Sequence, residues 1–352
     1  MVRPAGDRAL PRGFSKRPES GKAVNIYDIA KLAGVSASTV SRVINDKPGI
    51  KAETRKLVKR LLKKYNYSPN ENARGLVNRV SRTVGILIPD IRDLNHVGSA
   101  FLIQRELTAS GYCCIIFNTG EGEEERASYM QTLRQRQVDG VILIGSSYQC
   151  RPVEEKIAEF LPEIPVVMAN GLLELPNVHS VLLDEKNGVA NLVELLWNKG
   201  RRHFAFIKAE HDSHGNRRKL EGFVQGMANR VDQEDLWLYA CENSPQGGYE
   251  AAKRIVTEHP EVDVLMFSWD LEAAGAARAL LDMRLSVPDQ VAITGVDNSV
   301  YCEICYPKLS SVDVRQRDMC LTAAKTMLSL LAGETAVRTV VIPPSVVERE
   351  ST

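Results

Sequence analysis

Apolar residues between Ile26 and Asn45 fall at helical spacing in two sets: Ile26, Ile29, Ala30 and Ala33, then Val40, Val43 and Ile44. Gly34 lies between them and permits a tight turn at positive φ. Ser36 is a ready N-cap for the second helix, because its hydroxyl can accept from a free amide in that helix's first turn. The pattern predicts two short helices joined by a turn. From Thr83 onward the rhythm changes. Short apolar runs bounded by turn residues, such as Val84-Gly-Ile-Leu-Ile-Pro89 and Gly140-Val-Ile-Leu-Ile144, read as buried strands. Further strands are predicted over 112–118, 166–169, 204–207, 238–241, 264–267 and 291–296. Helices are predicted over 99–110, 123–137, 185–199, 216–229, 247–258, 271–283 and 319–332. Continuous apolar strands spaced by amphipathic helices mean parallel sheets covered on both faces. The stretch is too long for one sheet, so two α/β lobes are predicted, parting near 172–177 with later strands crossing back.

Charge changes the meaning of the first part. The whole chain of 352 residues carries a formal charge of only +1, yet residues 1–82 hold 19 basic and 6 acidic side chains, and the remainder holds 26 and 38. A basic head on an acidic body suits phosphate binding at one end and repulsion at the other. A helix-turn-helix lays its second helix in the DNA major groove with its N-terminal residues against base edges. Ala37, Ser38 and Arg42 are therefore candidate readers. A lysine-rich helix at 51–64 that is merely solvated is the plainer alternative, but it leaves the two-helix pattern unexplained. Residues 1–24 are basic and rich in Pro and Gly without an apolar core segment, which reads as a disordered extension and not a signal peptide. No apolar run reaches the roughly 18 residues of a membrane span. A cytoplasmic protein is expected, with its seven cysteines reduced. Cys302-Glu-Ile-Cys305 is a lone pair with no second pair to complete a metal site.

Open α/β sheets bind ligands at the carboxyl ends of their strands, and two facing lobes make a cleft for a small polar molecule. Polar residues just after predicted strands are the candidates: Asn170, Trp269, Asp270, Asp297 and Asn298. A hydroxyl-rich ligand wants carboxylates and amides to bond and an aromatic face to stack on. Asp270 and Asn298 could equally be helix N-caps. Between head and body, Tyr67-Ser-Pro-Asn-Glu-Asn-Ala-Arg-Gly-Leu-Val77 begins with a Ser68 cap and Pro69 at a helix start. So short a helix is unstable alone. It can fold against DNA with Leu76 as a minor-groove wedge, or serve as an ordinary linker.

With these residues in view, the chain resembles the lac repressor/galactose repressor family of bacterial transcription regulators over nearly its full length. The motifs are Ala33-Gly-Val-Ser-Ala-Ser-Thr-Val-Ser-Arg-Val-Ile-Asn45, Thr54-Arg55, Tyr67-x-Pro-Asn-x-x-Ala-Arg-x-Leu76, Val138-Asp-Gly-Val-Ile-Leu143, Lys219-x-x-Gly-Phe223, Gly295-Val-Asp297 and Pro307-x-Leu-Ser-Ser-Val312. The resemblance implies an all-α helix-turn-helix head at 25–68, a hinge helix and linker at 69–82, and a two-lobed, periplasmic-binding-protein-like α/β body at 83–352. It implies a homodimer on a pseudo-palindromic operator, and a sugar or sugar derivative as effector. DNA-facing positions then fall on Tyr27, Ser36, Ala37, Ser38, Thr39, Arg42, Asn45 and Thr54 in the head, and on Asn70, Ala73 and Leu76 in the hinge. Effector positions fall on Asn170, Lys219, Asn243, Trp269, Asp270 and Asp297. The family usually has arginine where Lys219 stands, and lysine cannot form the same bidentate fork. Often it has an aromatic residue at Asn243 and asparagine at Trp269, so here Trp269 is expected to supply the stacking face.

Two other classes fit the sequence less well. A solute-binding protein with the same body leaves the basic head without a role. An enzyme finds no support in motifs: there is no Gly-x-Gly-x-x-Gly, phosphate loop, Gly-x-Ser-x-Gly or His-Glu-x-x-His. No cofactor or metal is expected. Glu121-Gly-Glu-Glu-Glu125 reads as a solvated helix start.

Overall fold

A computed structural model describes residues 24–67, 81–210 and 213–352. The chain divides into two compact units between Ser81 and Arg82. In the first, α1 (Ile26–Ala33), α2 (Ala37–Ile44) and α3 (Ala52–Lys64) surround a small core. Asn25 caps α1: its side-chain oxygen accepts from the Tyr27 and Asp28 amides, and Asp28 accepts from the Asn25 amide in return. Gly34 ends α1 at φ +65°, a conformation that costs a side-chain-bearing residue energy. Ser36 Oγ accepts from the Thr39 amide at 3.2 Å, as the sequence predicts. Ile29, Val40, Val43 and Val58 are wholly buried, one or two from each helix.

The second unit holds two six-stranded sheets. The first runs β11-β5-β4-β3-β1-β2, all parallel, from β1 (Thr83–Ile88), β2 (Cys113–Asn118), β3 (Gly140–Ile144), β4 (Val166–Ala169), β5 (Val178–Leu183) and β11 (Thr339–Ile342). The second runs β12-β10-β9-β8-β6-β7, from β6 (Phe204–Ala209), β7 (Trp237–Cys241), β8 (Val264–Phe267), β9 (Ala292–Val296), β10 (Ser310–Asp313) and β12 (Ser345–Val347). Only β12 departs from the predicted parallel arrangement, pairing antiparallel with β10. The central strands are buried along their length, so their helices must cover both faces.

The helices are α4 (Leu94–Ala109), α5 (Glu123–Gln135), α6 (Arg151–Phe160), α7 (Glu185–Asn198), α8 (His214–Met227), α9 (Pro245–Glu258), α10 (Asp270–Asp282), α11 (Tyr301–Ile304) and α12 (Gln316–Leu331). Helix α7 packs on α8, β10 and β12, whereas α12 returns to pack on α4, β3, β4 and β5. The lobes therefore part at Asp184, not at 172–177: β5 still belongs to the first sheet. Helix α4 also starts five residues earlier than predicted, because Asp93 caps it by accepting from the Asn95 and His96 amides.

Close approach shapes lobe 2. A Cβ on Gly275 of α10 would sit 1.8 Å from the Pro245 carbonyl oxygen, so α9 and α10 can touch only because that position is bare. The carboxyl-terminal residues are pinned to the same lobe. Ser351 Oγ donates to the Ile293 carbonyl, and Arg349 donates to Glu303, the Leu309 carbonyl and Asn298 Oδ1. No helix among the described residues is long and apolar enough to cross a membrane.

Candidate functional site

The head presents its polar groups outward. Tyr27 is 73% exposed. Ser36, Ser38, Arg42 and Asn45 are exposed, while Ala37, Thr39 and Thr54 are half-buried. Ser38 Oγ sits 2.8 Å from Ser36 Oγ at the N-terminus of α2. Arg42 reaches back to donate to the Pro48 carbonyl at 3.1 Å. Asn45 donates to the Ser41 carbonyl at 2.9 Å. Asp46 draws Arg55 and Lys59 together, and these bonds hold its carboxyl below the usual range. Asn70, Ala73 and Leu76 lie outside the described residues, as do residues 1–23.

In the body, a cavity of about 710 Å³ opens at the carboxyl ends of both sheets. Asn170, Lys219, Asn243, Trp269, Asp270 and Asp297 all line it, so the topology brings together residues spread over more than a hundred positions. Their polar atoms are differently placed. Asn243 is exposed at the rim. Trp269 donates from its ring nitrogen to Asn216 Oδ1 at 3.1 Å. Lys219 is 1% exposed; its ammonium lies 3.9 Å from the centre of the Trp269 ring, donates to the Ser268 carbonyl at 2.8 Å and stands 3.6 Å from Asp297. A cation so held is paired both electrostatically and through the indole face. Asp270 is not a helix cap. Its oxygens accept from the Ser299 amide and the Ser311 hydroxyl, each at 2.6 Å, inside lobe 2. Asn298 caps no helix either: it is held by Arg349 and by the Ser311 hydroxyl.

Several groups that the sequence does not flag complete the site. Asn170 donates to Glu185 at 3.0 Å and accepts from Arg218 at 2.9 Å; Arg218 in turn donates to Glu185 at 2.8 Å. Asn95 of lobe 1 donates to Asp297 of lobe 2 at 2.8 Å, and the Gly215 amide donates to Ser146 Oγ at 2.9 Å. With the Arg218–Asn170 bond, these cross from one lobe to the other. Burial pushes the Asp297 carboxyl up to about 7 against the opposing pull of Lys219. Glu272, wholly buried, is pushed up to about 8 by the same cause, with Lys219 opposing the shift. Among the described residues, no group of three or more His, Cys, Asp or Glu is arranged to hold a metal ion. Burial raises the thiols of both Cys302 and Cys305, which disfavours the reactive thiolate.

A helix-turn-helix head and a two-lobed α/β body with a polar cleft define a class: DNA-binding regulators that respond to a small ligand. Residues 25–70 match the profile of bacterial regulatory proteins of the lacI family, and residues 193–352 match that of the periplasmic binding protein-like domain. The chain is 30% identical over 292 residues to catabolite control protein A of Staphylococcus aureus, covering 82% of this chain and 87% of that one. It is 27% identical to an HTH-type transcriptional regulator of Lachnoclostridium phytofermentans, over 94% and 99% of the two chains. Among solved structures, the lac repressor dimer bound to operator and the anti-inducer ONPF aligns with a TM-score of 0.85 at 22% identity, covering 94% of this chain and 99% of that one. A complex of the transcriptional regulator CelR with cellobiose aligns at 0.68 and 26% identity, over 94% and 100%. The chain belongs to the lacI family of bacterial transcription regulators.

Proposed function

We propose that the protein is a cytoplasmic repressor of a carbohydrate-utilisation operon, binding operator DNA as a homodimer and releasing or gripping it according to a sugar or sugar derivative in the cleft. The observation that carries this reading is the set of direct bonds across the cleft: Asn95 to Asp297, Arg218 to Asn170, and Gly215 to Ser146. A ligand entering there must exchange these bonds for its own, so occupancy and lobe arrangement are linked. Its effect on DNA affinity equals its differential affinity for the two arrangements. In the head, Ala37, Ser38 and Arg42 read bases, and Tyr27, Ser36, Thr39, Asn45 and Thr54 support that contact or meet phosphates. Asn70, Ala73 and Leu76 act in the hinge. In the cleft, Trp269 offers a stacking face, and Asn243 and Asp297 offer hydrogen bonds. Lys219, Asn170 and Asp270 act mainly by fixing these neighbours. Exposed Leu94, Val97 and Phe101 along one face of α4, with Leu281, Val300, Ile304 and Tyr306 on lobe 2, support pairing with a second copy.

The test is to enrich genomic fragments on the purified full-length protein, then to screen sugars for a change in affinity for the enriched fragment. A promoter-proximal, near-palindromic site whose affinity moves at least fivefold with one sugar class supports the reading. Binding no tighter than to random duplex at moderate salt, with every sugar tried, would overturn it.

A further inference from the structure

One charged group in the cleft takes no part in the bonds described above. Arg126, the fourth residue of α5, is 3% exposed and lines the cavity from lobe 1. One terminal nitrogen donates to the Glu121 carbonyl. The guanidinium lies 6.0 Å from the centre of the buried Tyr148 ring and touches the Cys150 thiol. Its Nε is buried with no hydrogen-bond partner, and among the described residues no carboxylate forms an ion pair with it. The acidic groups nearby are differently placed. Asp90 is bound by Arg92, Glu185 by Arg218, and Asp297 by Lys219 and Asn95. Glu121, Glu123 and Glu125, the carboxylates nearest in the chain, are exposed, and Glu123 raises the same Cys150 thiol that Arg126 lowers. A guanidinium cannot shed its proton at any ordinary pH, so burying it without a counter-charge is unfavourable until something anionic arrives. Also on lobe 1, His96 lines the same cavity, and its Nδ1 is likewise buried without a hydrogen-bond partner, 3.7 Å from Asp93.

We propose that the cleft is built for a small polyol carrying an oxyanion, a carboxylate or a phosphoryl group, with Arg126 of lobe 1 holding the oxyanion while the hydroxyls meet Trp269 and Asp297 of lobe 2. This rests on the cleft being the effector site, and it narrows the class of effector. The planar fork of arginine matches both kinds of oxyanion. A neutral sugar would leave the buried charge as it stands. The arrangement also assigns each end of the ligand to a different lobe, so an anionic ligand bridges the lobes where a neutral one does not.

The experiment is a thermal-shift screen and calorimetry on the full chain at fixed ionic strength. The probes are matched sets: neutral hexoses and pentoses, the corresponding sugar acids, and the corresponding sugar phosphates. The expected result is that an acid or a phosphate binds at least tenfold more tightly than its neutral parent, and which of the two does so identifies the oxyanion. Arg126→Met should abolish that preference while leaving the neutral parent within twofold. Arg126→Lys, which keeps the charge without the fork, should retain part of it and serves if the methionine variant does not fold. A neutral sugar that binds as tightly as its acid and phosphate, or an anion preference that survives Arg126→Met, overturns the inference and leaves the cleft as the effector site. No binding by any set removes both.

Discussion

Tyr27, Ser38 and Arg42 on the head and Asn170, Lys219 and Asp297 in the cleft are all polar, yet they stand in opposite relations to the protein around them. The first three reach into solvent, bound at most to a neighbouring hydroxyl or carbonyl. The last three are buried or nearly so, and each is bound to a second element that is itself bound. A head residue can therefore be exchanged with little effect on folding, while its DNA contact is lost. A cleft residue cannot be exchanged without loosening its partners. Recognition of a rigid, highly charged duplex needs only exposed donors on a firm three-helix base. A site that must report occupancy needs contacts that compete with the ligand.

The largest break in this comparison is expected at Glu185. Its side chain is 4% exposed and binds both Arg218 and Asn170. Glu185→Ala leaves the partly buried Arg218 charge without its carboxylate, a change of the kind that costs about 3–5 kcal/mol. Denaturant melting of the body should show the loss directly. A melting curve unchanged from that of the original protein would mean that the cleft bonds contribute nothing to the fold.

Glu272 sharpens the comparison through pH. Its carboxyl is pushed from an ordinary 4.5 up to about 8 by burial, opposed by Lys219 and reinforced by Asp297; the Cys241 thiol also faces it. Between those two values the folded protein keeps a proton that the unfolded chain has released. Stability from this group is therefore complete below about 4.5 and declines as pH rises towards 8. Glu272→Gln should remove that decline, making the variant more stable than the original at pH 8 by roughly 1–3 kcal/mol and much closer to it at pH 5. Parallel melting curves at the two pH values check it, and a constant difference would rule out titration of this residue.

Which parts were legible in the sequence follows the same division. In the head, the Ser36 cap, the Gly34 turn and the apolar spacing are local signals, and each is found where the spacing predicts it. In the body, the long helices and buried central strands were legible because their apolar runs are continuous. Helix α6, strand β5 and the short strands β10, β11 and β12 were not. The outer strands β11 and β12 are only partly covered, and four- and three-residue runs give no period to read. The parting of the lobes was misplaced because nothing in the order of strands says to which sheet β5 belongs. Trp269 and Asp297 were found because they follow strands. Glu185, Arg218 and Arg126 were missed because they sit inside charged helix starts that look solvated. A signal was available for Arg126: it stands four and seven residues before Met130 and Leu133, on the apolar face of α5.

On the head the expected effects on folding shrink and those on recognition remain. Arg42 is exposed and among the described residues is held by the Pro48 carbonyl, so Arg42→Ala should leave the melting temperature unchanged. It should erase roughly 1–3 kcal/mol of discrimination at one operator base pair, read from binding to a set of single-base operator variants. Unchanged preference at every position would exclude a base-reading role.

The smallest effect tests whether the head's exposed polar groups are free of the fold without exception. Ser36 is the one member of the set whose hydroxyl serves the backbone, accepting from the Thr39 amide at the start of α2. Ser36→Ala removes that cap and should cost about 1 kcal/mol of head stability. Ser38→Ala, which removes a hydroxyl bonded to the Ser36 hydroxyl and not to a helix amide, should cost less. Because Ser36 Oγ also lies within 2.9 Å of both Ser38 Oγ and Thr39 Oγ1, the capping loss should carry over into DNA affinity through the position of the α2 N-terminus. Loss of affinity with no change in melting would instead assign Ser36 to direct contact with DNA.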